Sequence, residues 1–258
     1  MKTSKLTSII VILGLVVAIA VALNFFAEDA GNPLLPRAEA RPVEKLKKLP
    51  DFAKYADVKE KKTAFFTTLY PVIEEENKHV LKIRDALIAL QKKPFATLTE
   101  EELEWLASIA EYYKVEAEPM TASIYTKLLN RVDFIPPSLA LTQAAIESGW
   151  GSSRFSKQGN NLFGQWCFSK GCGMVPSSRD AGKAHEVAKF DTVNHAVRAY
   201  LKNLNTNSSY AELRKKRAAL RNNAKAITGI ALAQTLLKYS EEGELYIKKV
   251  SKFINQNN

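Results

Sequence analysis

Ala144-Ala145-Ile146-Glu147-Ser148-Gly149-Trp150-Gly151 is the stretch whose reading decides the fold. One carboxylate, Glu147, ends an apolar run and stands just before a Gly-Trp-Gly break. From Ile135 to Ile146 the run holds no charge, and its polar residues are Ser138, Thr142 and Gln143. Pro136, Pro137 and Ser138 suit the opening of a helix, because proline in the first turn lacks only an N–H that would be unpaired there anyway. Leu139, Gln143, Ile146 and Trp150 then recur at helical spacing. Ala140, Ala144 and Glu147 share a second stripe, so small residues flank the acid on its own face. Gly149 adopts left-handed angles at little cost and is placed to stop the helix.

A carboxylate in the last turn of a helix feels the negative end of the macrodipole. Apolar neighbours also disfavour its ionised form. Both effects raise its pKa, which suits a proton donor working near neutral pH. The blander alternative is a helix-end acid that faces solvent or pairs with Arg154.

Working outward, the 258 residues suffice for one large domain or two smaller ones, and the formal net charge is +10. A basic balance fits nucleic acid, anionic lipid or an anionic polymer outside the cell. No zinc-finger, helix-turn-helix or RNP-type pattern occurs, which argues against nucleic acid. Lys2 and Lys5 precede an uncharged, mostly apolar stretch from Leu6 to Ala27. Residues 1–27 are therefore expected to form an uncleaved anchor in the inner membrane, with the rest of the chain in the periplasm. A cleaved signal peptide is the second choice. Pro33, Pro36, Pro42 and Pro50, mixed with charges, make residues 28–57 read as a tether. In that compartment the close pair Cys167 and Cys172 reads as a disulfide. Zinc held with His185 and His195 is the alternative.

Residues 58–118 read as a helical extension. Phe65, Phe66, Leu69, Tyr70 and Ile73 begin an apolar stripe that Pro71 is expected to bend or break. Thr99 and Glu102 form a capping box. Within residues 119–258, a helix is expected from Met120 to Arg131. Further helices are expected at Val193–Leu204, Tyr210–Leu220, Ala224–Leu237 and Tyr246–Ile254. Val187, Lys189 and Phe190 suggest a short strand paired with Trp166-Cys167-Phe168. The run from Arg214 to Arg217, with Arg221, reads as a solvated helix face. The sum is a mainly α body with one small β excursion directly after the candidate acid.

Leu141 to Gly151, then Ser153-Arg154-Phe155 and Asn160-Asn161-Leu162-Phe163-Gly164, resembles the glucosaminidase family of peptidoglycan hydrolases, glycoside hydrolase family 73. The resemblance continues through Val187-Ala188-Lys189-Phe190 and ends at Tyr239 and Tyr246. The extension and the segment Trp166 to Gly173 look like the Bax-type branch of Gram-negative bacteria. Lytic transglycosylases also carry Glu-Ser at a helix end, but follow it with a different segment. The resemblance implies a lysozyme-like helical domain with a small β-hairpin lobe, a peptidoglycan glycan strand as substrate, and no cofactor or metal.

It implies Glu147 as general acid. In a two-carboxylate scheme the partner acid lies in the β-lobe, with Glu186 the first choice and Asp180 the second. If neither serves, the substrate's own 2-acetamido group attacks, and Tyr239 orients it. Trp150, Asn161, Trp166 and Tyr246 are expected along the substrate, with packing roles as the alternative for each aromatic and turn-bracing for Asn161. The expected activity is cleavage of β-1,4 bonds at N-acetylglucosamine. A lytic transglycosylase and a non-catalytic glycan-binding scaffold are the competing readings.

Overall fold

The computed structural model describes residues 34–39, 46–176 and 185–257. The expected anchor and Asp180 lie outside them. Among the described residues no helix is long and apolar enough to cross a membrane.

Nine α-helices and three short strands are described. Helix α1, Val58–Gln91, is the longest. It is followed by α2 (Glu100–Tyr112), α3 (Ile124–Arg131), α4 (Pro137–Ser148) and α5 (Arg154–Gly159). The β-lobe comes next, with β1 (Trp166–Cys167), β2 (Gly173–Met174) and β3 (Glu186–Ala188). The chain closes with α6 (Val193–Thr206), α7 (Ala211–Asn222), α8 (Gly229–Ala233) and α9 (Glu244–Asn257). The strands form one antiparallel sheet in the order β1-β3-β2, with Trp166 opposite Val187 and Gly173 opposite Ala188. The pairing expected between the Trp166 and Val187 segments is therefore present. Gly173 has no room for a side chain, because a Cβ there would run into the Val187 carbonyl.

Two apolar cores share α1. Its first half buries Phe65, Leu69, Val72 and Ile73 with Leu139, Ala144 and Ala145 of α4 and with α6 and α9. Its second half buries Val80, Ile83, Leu87 and Leu90 with α2 and α3. At about 1.5 Å per residue the helix runs roughly 50 Å. Pro71 does not break it. An interior proline costs about 3 kcal/mol, but Leu69, Val72 and Ile73 are buried around it and hold the turn in place. Pro71 itself is exposed, as is Thr67, whose carbonyl loses its helical donor to the ring. The capping box at Thr99 and Glu102 forms as expected.

Where it is described, the proline-rich stretch is docked. Phe52 is fully buried against Phe65. The Leu46 carbonyl accepts from Val193 N–H, and the Pro36 carbonyl accepts from Trp105 Nε1 at 2.7 Å. The Ala224–Leu237 helix shrinks to Gly229–Ala233. Ala224 takes a left-handed φ of 50°, which ends α7, and Thr228 caps a new, shorter helix through Ala231 N–H.

The basic run on α7 is not a solvated face throughout. Arg214 and Arg217 are buried, at 4% and 1% exposure. Arg217 donates to the carbonyls of Asn130, Arg131, Asp133 and Phe134. Arg214 serves those of Leu204 and Asn207. The last carbonyls of a helix lack intrahelical donors, and a guanidinium carries five N–H groups with which to supply them. Arg221 pairs with buried Asp133 through both oxygens, at 2.7 and 2.5 Å. These bonds fix the connection from α3 into α4, and with it the helix that carries Glu147.

Candidate functional site

Helix α4 begins at Pro137 and ends as its sequence requires. Gly149 caps it at a φ of 57°, and Trp150 and Gly151 follow at 60° and 71°. Trp150 N–H reaches back to the Ala145 carbonyl at 2.9 Å. Gly151 N–H donates to the Ser148 hydroxyl, which in turn donates to the Ala144 carbonyl. Gly151 must lack a side chain, since a Cβ there would lie 2.6 Å from the Phe52 ring. This left-handed turn carries the chain away from Glu147. It also sends Trp150 into a cluster with Phe65, Phe66 and Phe253, at centroid distances of 5.3–5.5 Å. The Lys62 ammonium lies over the Trp150 ring.

Glu147 is half-buried on the last turn of α4. Its Oε1 accepts from the Tyr246 hydroxyl at 2.7 Å. Its Oε2 faces Gly164, where a Cβ would stand 3.7 Å away. Arg154 does not pair with it; that guanidinium donates to the Val175 carbonyl. Burial lifts the Glu147 pKa above the ordinary carboxylate value, and Glu242 adds to the rise. The Tyr246 bond and Lys249 oppose it without reversing it.

Behind Tyr246 stands a line of buried polar groups. Gln143 Nε2 donates to the Tyr246 oxygen at 3.0 Å. Tyr200 donates to Gln143 Oε1 at 2.7 Å. Tyr200 lies under the Phe163 ring, stacked at 4.0 Å. Tyr239 stacks on Tyr246 at 5.4 Å and donates to the Phe163 carbonyl. Burial pushes the phenol pKa of Tyr200, Tyr239 and Tyr246 upward, and the Glu147 carboxylate adds to the rise in each. All three hydroxyls therefore stay protonated donors.

The β-lobe places the other expected residues. Asn161 is buried and spends its whole amide on backbone. It donates to the Gln165 and Ala188 carbonyls and accepts from Phe163 and Gln165 N–H. That is the bracing role, joining the turn after α5 to β3. Cys167 and Cys172 form the expected disulfide. With both sulfurs bonded to each other, neither is a thiolate ligand for zinc. Glu186 is buried opposite Cys167 in the sheet. Its carboxylate accepts from Gly171 N–H at 3.0 Å and Gly173 N–H at 2.8 Å, so it grips the disulfide loop. Trp166 is exposed and stacked on His185 at 4.2 Å, which leaves an aromatic face at the edge of the lobe.

The structure thus gathers Glu147, Tyr246 and Tyr239 in one place. Trp150 belongs to the packing beside α1, and Glu186 to the cystine loop. Gln143, Tyr200 and Gly164 join the site without having been anticipated as site residues. The one local hint was Gln143, a polar residue four positions before Glu147 inside an uncharged run.

Residues 122–258 match the glucosaminidase family, described as mannosyl-glycoprotein endo-beta-N-acetylglucosaminidase. The chain belongs to the glucosaminidase family. The chain is 38% identical over 199 residues to the protein bax of Escherichia coli (strain K12), a match covering 77% of this chain and 70% of that one. It also bears a likeness to the catalytic domain of the autolysin Auto from Listeria monocytogenes. That domain is 18% identical, with 79% of this chain and 88% of the other covered and a TM-score of 0.41. Membership of the glucosaminidase family supports a glycoside hydrolase acting on the cell wall, in general terms a peptidoglycan hydrolase. The mainly helical body with its small three-stranded sheet fits the lysozyme-like architecture expected of the family.

Proposed function

We propose that the chain hydrolyses β-1,4 bonds of peptidoglycan at N-acetylglucosamine, with Glu147 as the general acid. One observation carries the reading: a carboxyl on the last turn of α4 has its pKa raised by burial, with one oxygen held by a buried tyrosine and the other beside Gly164. A carboxylic acid whose pKa is raised holds its proton to higher pH than an ordinary one and can deliver it to the leaving glycosidic oxygen. The C–O bond then breaks, the leaving sugar takes the proton, and positive charge develops at the anomeric carbon.

The second group follows from the two-carboxylate scheme. Glu186 is the first choice to activate water, and Asp180 the second. In an inverting arrangement the pair stands about 6.5–9.5 Å apart. Glu186 reaches that role by exchanging its hold on Gly171 and Gly173 for a water. In the substrate-assisted route the 2-acetamido oxygen attacks instead, and Tyr239 and Tyr246 line the face from which it does so. Trp166 offers a stacking surface to a sugar ring further along the strand. Trp150 acts through packing, keeping the turn after Glu147 dry.

The place of action is proposed on composition and chemistry. Two lysines ahead of an apolar segment fit an inner-membrane anchor with the catalytic part in the periplasm. A disulfide fits that oxidising compartment.

Mass spectrometry of digested peptidoglycan tests the activity. Hydrolysis leaves reducing N-acetylglucosamine ends; anhydro-muramic ends would make the protein a lytic transglycosylase. Glu147→Gln is expected to abolish release while leaving glycan binding intact. Unchanged release by that variant would remove Glu147 from the mechanism, and no release by either protein would leave a glycan-binding scaffold.

A further inference from the structure

We propose that Gln143 and Tyr200 are positioning residues that select which oxygen of Glu147 carries its proton. The inference rests on Glu147 being the acid of the proposed hydrolase. A carboxylic acid has two seats for its proton, and here they are not equivalent. Oε1 meets the Tyr246 hydroxyl at 2.7 Å, while Oε2 faces the space beside Gly164. A proton on Oε2 can be handed to a substrate oxygen. A proton on Oε1 would be spent on Tyr246.

The choice is made one step behind Tyr246. Its hydroxyl has a single proton and two neighbours. Gln143 presents Nε2 to it at 3.0 Å. An amide N–H can only donate, so the Tyr246 oxygen accepts from it and the phenolic proton points at Glu147. With Oε1 already accepting, the acid's own proton is left to Oε2. Were the Gln143 amide turned by a half rotation, its Oε1 would take the Tyr246 proton. Tyr246 would then accept from Glu147, and the acid's proton would be trapped on the wrong oxygen.

Tyr200 prevents that turn. Its hydroxyl is buried beneath Phe163 and sends its proton to Gln143 Oε1 at 2.7 Å. Among the described residues the Tyr200 hydroxyl makes no other hydrogen bond. A turned amide would face it with N–H groups and strand the phenolic proton in the core, a costly arrangement. The direction Tyr200 to Gln143 to Tyr246 to Glu147 is therefore fixed at its far end by a residue fully buried on α6. Burial also keeps both phenols from ionising, so the line cannot reverse by losing a proton.

The test uses the full-length protein with Tyr200→Phe and, separately, Gln143→Met. Both variants conserve volume. The glutamate carboxyls are labelled with carbon-13 and the Glu147 signal is titrated by NMR. Hydrolysis of peptidoglycan sacculi is followed from pH 4 to 9, and circular dichroism checks folding. With Tyr200→Phe the amide is free to turn, and the ionised carboxylate loses part of its donor. Its midpoint should rise by about half a unit, and kcat should fall about tenfold with KM within twofold. Gln143→Met should act in the same direction, and it carries the test if Tyr200→Phe fails to fold. A folded variant with the wild-type midpoint and kcat overturns the proposal. If the wild-type protein releases no muropeptides, the hydrolase reading fails, and the midpoint alone decides whether the line of donors controls Glu147.

Discussion

Replacing Tyr246 with phenylalanine removes one oxygen and leaves the ring stack with Tyr239 in place. Two bonds are lost: the donation to Glu147 Oε1 at 2.7 Å and the acceptance from Gln143 Nε2 at 3.0 Å. The first matters for the proton. A donor to a carboxylate stabilises its charged form, and the Tyr246 bond is the largest influence holding the Glu147 pKa down. A hydrogen bond to a charged group contributes about 1.5–3 kcal/mol, and one pKa unit corresponds to about 1.4 kcal/mol. Glu147 is only partly buried, so solvent screening halves the figure at least, leaving a rise of roughly half to one unit. The second bond matters for folding. A buried amide donor left unpaired costs about 1–3 kcal/mol, and at roughly 3 °C per kcal/mol the melting temperature should drop by about 3–9 °C. In kcat/KM against pH on peptidoglycan, the limb on the alkaline side reports the acid that must be protonated. That limb should move to higher pH in Tyr246→Phe, while the plateau falls because the acid's proton is no longer confined to Oε2. An alkaline limb that stays put, or moves to lower pH, would refute the reasoning.

Three further outcomes are expected of the same side chains and their neighbours. Glu147 has a folded pKa above its unfolded one, so its contribution to stability is fully present below the unfolded value, near 4.5, and is lost as pH rises through the folded value. Glu147→Gln should therefore melt higher than the wild type at pH 7 and converge with it below about pH 4, as calorimetry across that range would show. Gly164→Ala meets a φ of +63°, which costs a side chain about 1–2 kcal/mol. It also sets a methyl group against Glu147 Oε2, so kcat should fall more than tenfold while glycan binding, measured by pull-down on sacculi, persists. Arg217→Ala takes a donor from the carbonyls of Asn130, Arg131, Phe134 and Asp133, the last of which keeps Asn205, and weakens the neutralisation of Asp133. Denaturant unfolding should show a loss of about 3–5 kcal/mol, with activity per folded molecule unchanged.

The parts of this fold that could be read in advance are those set by neighbours along the chain. Pro137 and Gly149 bound α4 because proline's fixed φ suits a first turn and glycine takes the left-handed φ of 57° that ends it. Thr99 and Glu102 cap each other three residues apart. The pairing of Trp166 with Val187 followed from short β-prone runs around a cystine turn. Where reading failed, distant residues decided the matter. Pro71 sits in an unbroken helix because Leu69, Val72 and Ile73 are buried around it. Arg214 and Arg217 look like surface charge until helix ends from elsewhere present their carbonyls. The line from Tyr200 to Glu147 joins residues 57, 103 and 99 positions apart, and no local pattern announces it. Tyr246 is expected along the substrate, and its hydroxyl also reaches Glu147.

The sharing of α1 between both cores has a practical consequence. The family match begins at residue 122, but part of what seals the hydrophobic side of α4 is supplied by Phe65, Leu69 and Ile73, far upstream of that border. Trimming the gene to the homologous region would strip a wall from the interior. The upstream helix is thus a strut of the body that carries Glu147, and heat should melt both cores as one cooperative unit.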